Sequence, residues 1–287
     1  MASKFRALKR SYFAVPLIAL MLLALTWERT LPLPILLGLG LALVVTVFVA
    51  VHHAEVVALR VGEPFGSLIL AVAVTVIEVG MIVVLILEDP VAARDLPRDT
   101  VFAAVMITTT GIVGASLLVK TLRMKVATFN SEGVTGAVGA LAALSVLSLV
   151  LPSVTTSSPG PTFTVSQLTF AAVASLVMYL TFVGVQTVRH RDYFLPPIKS
   201  NVNQSENAHV TPPSSKLAWW SLAALFVSLV AVVGLAKVTS PLITSVVSDL
   251  GLPQMVVAVS IAMVVLLPES VSALKAAYSG RTQTSLN

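Results

Sequence analysis

The chain has 287 residues, 56% of them apolar and only 11% charged, with a mean hydropathy of +0.95. An ordinary soluble domain carries about a quarter of its residues as Asp, Glu, Lys and Arg, so a soluble globular enzyme and a long disordered tail are both excluded. The absence of Cys removes a disulfide framework, a thiolate metal site and a cysteine nucleophile together. The charges are too few and too segregated to build a nucleic-acid surface, which makes the pI of 9.7 a statement about membrane topology first.

Eight apolar stretches follow one another, at 12–27, 35–51, 65–87, 101–119, 134–151, 167–188, 217–236 and 254–274. At a rise of about 1.5 Å per residue each approaches the length needed to cross a hydrocarbon core of roughly 30 Å. The first stretch follows Lys4, Arg6, Lys9 and Arg10 and leaves through Trp27, Glu28 and Arg29 without a small-residue cleavage site, so it reads as an anchor helix rather than a signal peptide. After the second come His52, His53 and Glu55, which lack the two-His helical spacing of a zinc protease. The third opens with Gly62, Glu63 and Pro64 and holds Glu78, and the acidic loop beyond it carries Glu88, Asp89, Asp95 and Asp99. The fourth holds Thr108, Thr109 and Thr110, then Gly111 and Gly114, where glycine permits close approach of another helix. In the fifth, Gly133, Gly136 and Gly139 with Ala137, Ala140 and Ala143 form a small-residue stripe suited to packing. A Pro- and Ser/Asn-rich connection at 189–216 reads as a flexible linker. The seventh begins at Trp219 and Trp220 beside Lys216, an aromatic belt with a basic anchor, and the eighth contains Pro268 and Glu269.

Orientation follows from the cations. With the N-terminus in the cytoplasm, fourteen Lys and Arg fall in inner segments, while only Arg29, Arg94, Arg98 and Lys237 fall in outer ones. The expectation is a multi-pass protein of a bacterial cytoplasmic (inner) membrane, with the acidic loop outside.

Of the thirteen acids only Glu78 and Glu269 remain at membrane depth once the loops are assigned. A charged carboxylate near a bilayer centre costs at least about 2.5 to 3.5 kcal/mol on insertion scales, so such groups are kept for binding, proton transfer or pairing. The alternative is a protonated carboxyl hydrogen-bonded between helices. Each of the two lies in a segment that opens with Gly-x-Pro and runs apolar for about fifteen residues before its Glu, and the two segments cross in opposite directions. Opposed similar segments are the mark of inverted-repeat transporters, whose sites form near the midplane from interrupted helices. Pro268 has no N–H and deprives the carbonyl of Val264 of its helical donor beside Glu269. Thr75 lies one turn before Glu78 on the same face. For the threonines, back-bonding within their own helix is the competing role.

At these residues the sequence resembles the bacterial calcium/proton antiporters of the calcium:cation antiporter superfamily, sodium, potassium/proton exchangers included. The resemblance is carried by HAEVVALRVGEPFGSLIL, by TVIEV around Glu78, by RDTVFAAVMITTTGIVGASLL, by VQTVRHRDYF and by LLPESVSALKA around Glu269. It implies an all-α, polytopic inverted-repeat fold in which eight of about eleven transmembrane helices are present. An N-terminal membrane part at 1–188 would contain a first alpha repeat at 62–120, the cytoplasmic linker would occupy 189–216, and 217–287 would begin the second membrane part with an incomplete repeat at 251–278. The resemblance assigns Glu78 and Glu269 as the acids of a central cation site. The residues themselves suggest Thr75, Thr109 and Thr110 as further oxygens of that site, Pro268, Gly111 and Gly114 as helix breaks or close-packing points, and His53 and Glu63 at the cytoplasmic mouth, all as expectations. Leu266, three residues before the second acid, has no oxygen to offer.

The activity implied is exchange of calcium for protons, with sodium or potassium as alternatives, in a lipid bilayer and without a resident cofactor or nucleic-acid partner. Calcium asks for six to eight oxygens, more than two glutamates supply, so hydroxyls, freed carbonyls and water would complete its shell. Two departures accompany the resemblance. The linker is not acidic, holding only Asp192 and Glu206, and residues 281–287 stand where relatives begin the helix that completes the second repeat. The chain therefore reads as C-terminally truncated, which leaves a non-transporting relative that folds or assembles without a complete ion pathway as the alternative function.

Overall fold

A computed structural model describes residues 2–62, 65–88, 90–91, 93–190, 193, 212–253, 255–280 and 282–286, and every regular element among them is helical. In chain order these are α1 (Ala2–Thr26), α2 (Leu33–Val61), α3 (Phe65–Glu88), α4 (Leu96–Met124), α5 (Ser131–Val154), α6 (Val165–Gly184), α7 (Ser215–Asp249), α8 (Met255–Tyr278) and the short α9 (Thr282–Leu286). Among the described residues six helices are long and apolar enough to cross a membrane, and Ser11–Thr26 and Val72–Leu87 are shorter apolar stretches within α1 and α3. Each expected span thus overlaps a helix, as hydrocarbon demands when every backbone N–H and C=O has to be satisfied within its own segment. Most of the linker at 189–216 lies outside the described residues.

Helix ends follow local chemistry. Thr164 caps α6 in a reciprocal box with Gln167, and the Asn130 side chain accepts from the Glu132 amide at the start of α5. The two Gly-x-Pro motifs share one device: Gly62 closes α2 at φ +79° and Gly251 closes α7 at φ +64°, a region where a side chain is strained. The amide of Gly62 donates to Ala58 O at 2.9 Å, and those of Gly251 and Leu252 donate to Ser248 O and Val247 O, both at 2.9 Å.

The chain divides into two compact units, one of residues 1–104 with 204–268 and the other of 105–203 with 269–287. In the first unit α7 is the central helix, packed on α1, α2 and α3. Its buried Ala231, Val232 and Leu235 meet Leu39, Leu43, Val47 and Ala50 of α2, Ile77 and Met81 of α3, and Ala258, Ile261 and Val265 of α8 in one core. The i, i+4, i+8 spacing of Leu39, Leu43 and Val47 is the helical stripe such packing requires. Buried hydroxyls on α7 turn inward on their own backbone, Ser228 to Ala224 O and Thr239 to Leu235 O, both at 2.8 Å. Near the start of α7 Arg60 donates to Ser215 Oγ at 2.7 Å, and 22 residues further along the same helix Lys237 Nζ sits 4.4 Å from the centre of the Trp27 ring.

Two glycines let these helices approach. A Cβ on Gly234 would lie 2.3 Å from Leu23 Cδ2, and one on Gly80 would lie 2.6 Å from Val233 Cγ2. Gly234→Ala is therefore expected to destabilise the protein by about 1 to 3 kcal/mol, the range for overpacking. Thermal unfolding in detergent should register the loss, and Leu23→Ala in the same chain should recover part of it.

The second unit is built from the C-terminal part of α4, from α5 and α6 packed on one another, and from residues 269–287. Within it α9 rests on the end of α4, with Thr282, Gln283 and Ser285 buried.

Candidate cation site

Glu78 belongs to the first unit. On α3 the residues at 73, 77 and 81 form the buried stripe, with Ala73 5%, Ile77 1% and Met81 2% exposed. Glu78 follows Ile77 by one position and is rotated about 100° from it, so its side chain stands half-buried at the edge of this stripe. Thr75 shares its flank by the i, i+3 rule and is exposed.

Glu269 begins the part of α8 that belongs to the second unit, immediately after the buried Pro268. Helix α8 continues through the proline, whose missing N–H withholds a donor from Val264 O. Both carboxylate oxygens of Glu269 are sealed from solvent. A carboxylate is rarely placed in such a position without a ligand, a proton or a hydrogen-bonded partner to answer it.

In the same unit α4 departs from α-helical geometry. Residues Ile107–Ile112, the run ITTTGI, form a π-helical turn, a local widening that recurs at functional positions in helices. Thr109 donates to Val105 O at 2.7 Å and Thr110 to Met106 O at 2.5 Å. Back-bonding is thus the arrangement of both hydroxyls. It does not consume their oxygens: a hydroxyl that ligates a cation does so through a lone pair, with its proton directed elsewhere. Thr109 is half-buried, whereas Thr108 and Thr110 are exposed.

The glycines differ from expectation. A Cβ on Gly111 would meet only its own helix, at Ile107 Cγ2 4.0 Å away, and one on Gly114 would meet nothing within 4 Å. Neither packs against another helix among the described residues. The break in this stretch comes from the π turn that contains Gly111.

Placement also alters the reading of the histidines. Helix α2 runs past 51 to Val61 and carries His52, His53 and Glu55 with it. His53 is 1% exposed, and its Nε2 donates to Tyr12 O at 3.0 Å. Its ring lies 4.9 Å from that of Phe13, and His52 stacks on Tyr12 at 4.1 Å. His53 therefore ties α1 to α2 from a buried position, not from an open mouth. Glu63 lies outside the described residues. Among the described residues no group of three or more His, Asp or Glu side chains is assembled to hold a metal ion.

One polar cluster escaped sequence reasoning. Lys120, one of the fourteen cations of the inner segments, is 6% exposed and donates to Gly280 O at 3.0 Å. Arg123 donates to Tyr278 O and lies 4.1 Å from the centre of the Tyr278 ring. The signal was present as two cations at i, i+3 on the end of α4, a spacing that puts both on one face.

Comparison with known proteins bears on this arrangement. The family model described as sodium/calcium exchanger protein matches residues 31–188. Sinorhizobium fredii y4hA, whose name describes an ionic transporter, is 42% identical over 241 residues, covering 84% of this chain and 64% of that protein. The sodium-potassium/proton antiporter ChaA of Escherichia coli is 30% identical over 283 residues, covering 97% of this chain and 76% of that protein. The chain thus spans somewhat less than two thirds of the first relative and about three quarters of the second.

Proposed function

Because this chain belongs to the sodium/calcium exchanger protein family, a family of multi-pass membrane transporters rather than enzymes, we propose that it is a secondary antiporter that exchanges calcium for protons, with sodium or potassium as the alternative cargo. The observation that carries the reading is the pair Glu78 and Glu269, the two acids left at membrane depth, each on a helix that opens with Gly-x-Pro. The likeness to an antiporter named for sodium, potassium and protons supports protons as the counter-ion.

On this reading the fold is an inverted-repeat exchanger fold, with a first repeat at 62–120 and a second beginning at 251, joined through a cytoplasmic linker at 189–216. Each repeat contributes one carboxylate. Two ionised carboxylates sharing a low-dielectric site repel, so the site holds either a cation or protons and is disfavoured when empty. Occupancy by one excludes the other, and that exclusion couples the fluxes. Hydroxyls of Thr75, Thr109 and Thr110 and the carbonyl of Val264 are the further oxygens of this scheme.

Exchange is tested in proteoliposomes with an internal pH indicator. Calcium added outside acidic vesicles is expected to drive proton efflux matched by calcium uptake; sodium or potassium producing the larger response would reassign the cargo, and no response to any of the three would overturn the exchanger reading. Topology has its own check. In this Cys-free chain, Lys125→Cys should react with an impermeant maleimide from the cytoplasmic side of a bacterial inner membrane and Arg94→Cys from the other. The reverse pattern would invert the assigned orientation.

A further inference from the structure

The last carbonyls of a helix have no partner within it and carry the negative end of the helix dipole. At the end of α8 the terminal carbonyl of Tyr278, and that of Gly280 in the turn just beyond it, are met by cations from α4. Lys120 Nζ donates to Gly280 O at 3.0 Å and also meets Met124 Sδ at 2.8 Å, while Arg123 donates to Tyr278 O and covers the Tyr278 ring. A third tie follows, from the Asn130 amide to Gln283 Oε1 at 2.7 Å. All of these residues belong to one compact unit. The fit around Gly280 is close: its φ is +84°, and a Cβ there would lie 3.3 Å from both Lys120 Nζ and Met124 Cε.

Lys120 is an expensive residue to bury for packing alone, since removing an ammonium from water forfeits its hydration. Its position gives that cost a use. From Lys120 back to Thr110 is ten residues, and from its partner Gly280 back to Glu269 is eleven, so at a rise of about 1.5 Å per residue the two candidate ligand positions stand about 15 and 16 Å from the Lys120–Gly280 contact. On the charge-based topology both helices descend toward the cytoplasm. Helices fastened at their inner ends with arms of nearly equal length carry Glu269 and the threonine-rich π turn at similar depth.

We infer that Lys120 and Arg123 are positioning residues, a clamp that sets the axial register of α8 against α4 and so holds Glu269 level with the π turn of Thr109 and Thr110. The inference rests on the exchanger reading for the role of Glu269, while the register itself is a matter of geometry.

The test separates the two. Spin labels at Leu118→Cys on α4 and Ser272→Cys on α8, both exposed positions in a chain without other Cys, report the register by double electron–electron resonance. Lys120→Met with Arg123→Gln, which removes the donors while leaving Lys120's volume filled, is expected to shift or broaden the distance distribution. Lys120→Arg alone, which keeps a donor, should preserve it. In vesicles the double variant should raise the KM for the transported cation about tenfold, the scale on which misplacing a ligand acts at a distance, with the maximal rate changed far less. A merely structural role would lower the amount of active protein and the maximal rate without moving KM. An unchanged label distance in the double variant overturns the clamp, and a moved distance with unmoved KM overturns its positioning role. Undiminished flux in Glu269→Gln would instead overturn the exchanger reading and, with it, the functional meaning of the register, whatever the labels report.

Discussion

Glu78→Gln and Glu269→Gln are each expected to lower cation-driven proton flux by at least about a hundredfold. Gln preserves the volume and one carbonyl oxygen of the side chain but carries no charge and accepts no proton. A divalent cation drawn from water into a low-dielectric site loses several kcal/mol of hydration per charge, and one remaining carboxylate leaves half of its charge unanswered. Every 1.4 kcal/mol is tenfold in occupancy, so a deficit of about 3 kcal/mol already removes the cation at concentrations that saturate the unmodified protein. The pH response separates loss of a ligand from general damage. If cation and protons compete for the same carboxylates, cation affinity falls with falling pH by up to about tenfold per pH unit for each proton displaced. Residual cation binding in a Gln variant should follow a shallower slope, because one titrating group has gone. Equal slopes in the unmodified protein and both variants, or undiminished flux in either variant, would remove the two glutamates from the coupling step.

Hydropathy located the spanning segments because hydrocarbon imposes one backbone solution, and each expected stretch overlaps a helix. The ends were harder to read, because hydropathy reports where apolar side chains stop and a helix stops only where its backbone finds another partner. Helix α2 continues through His52, His53 and Glu55 to the positive-φ Gly62, and α7 continues from the expected end near Ala236 through Lys237 and Pro241 to Asp249. In both cases the polar side chains inside the extension are held within the first unit: His53 bonds Tyr12 O and Lys237 covers the Trp27 ring. Cations near helix ends were read as topology markers, which hid the role of Lys120 in bonding Gly280 O. Depth alone picked out Glu78 and Glu269, since carboxylates are scarce there. The π turn at Ile107–Ile112 was not legible, because nothing in the spacing of ITTTGI separates a widened turn from a regular one.

Pro268→Ala should move stability and function in opposite directions. In the interior of a helix proline costs about 3 kcal/mol relative to alanine, through the absent amide and the clash of its ring with the preceding turn. Helix α8 carries that burden at a buried position directly before Glu269. Alanine restores an N–H that can bond Val264 O and close the turn, so the variant is expected to be more stable, by up to a few kcal/mol where packing around the ring is not lost. The same hydrogen bond turns the Val264 carbonyl away from any cation held at Glu269. A dipole aimed at a charge is worth roughly 1.5 to 3 kcal/mol, so losing it should weaken cation binding about ten- to a hundredfold. Thermal unfolding in detergent and cation titration of the same preparation provide the two readings. A variant that gains stability and keeps its affinity would show that Pro268 serves the bend of α8 and not the ligand shell. A variant that loses both would overturn the expected gain in stability and show that the proline ring is needed for packing.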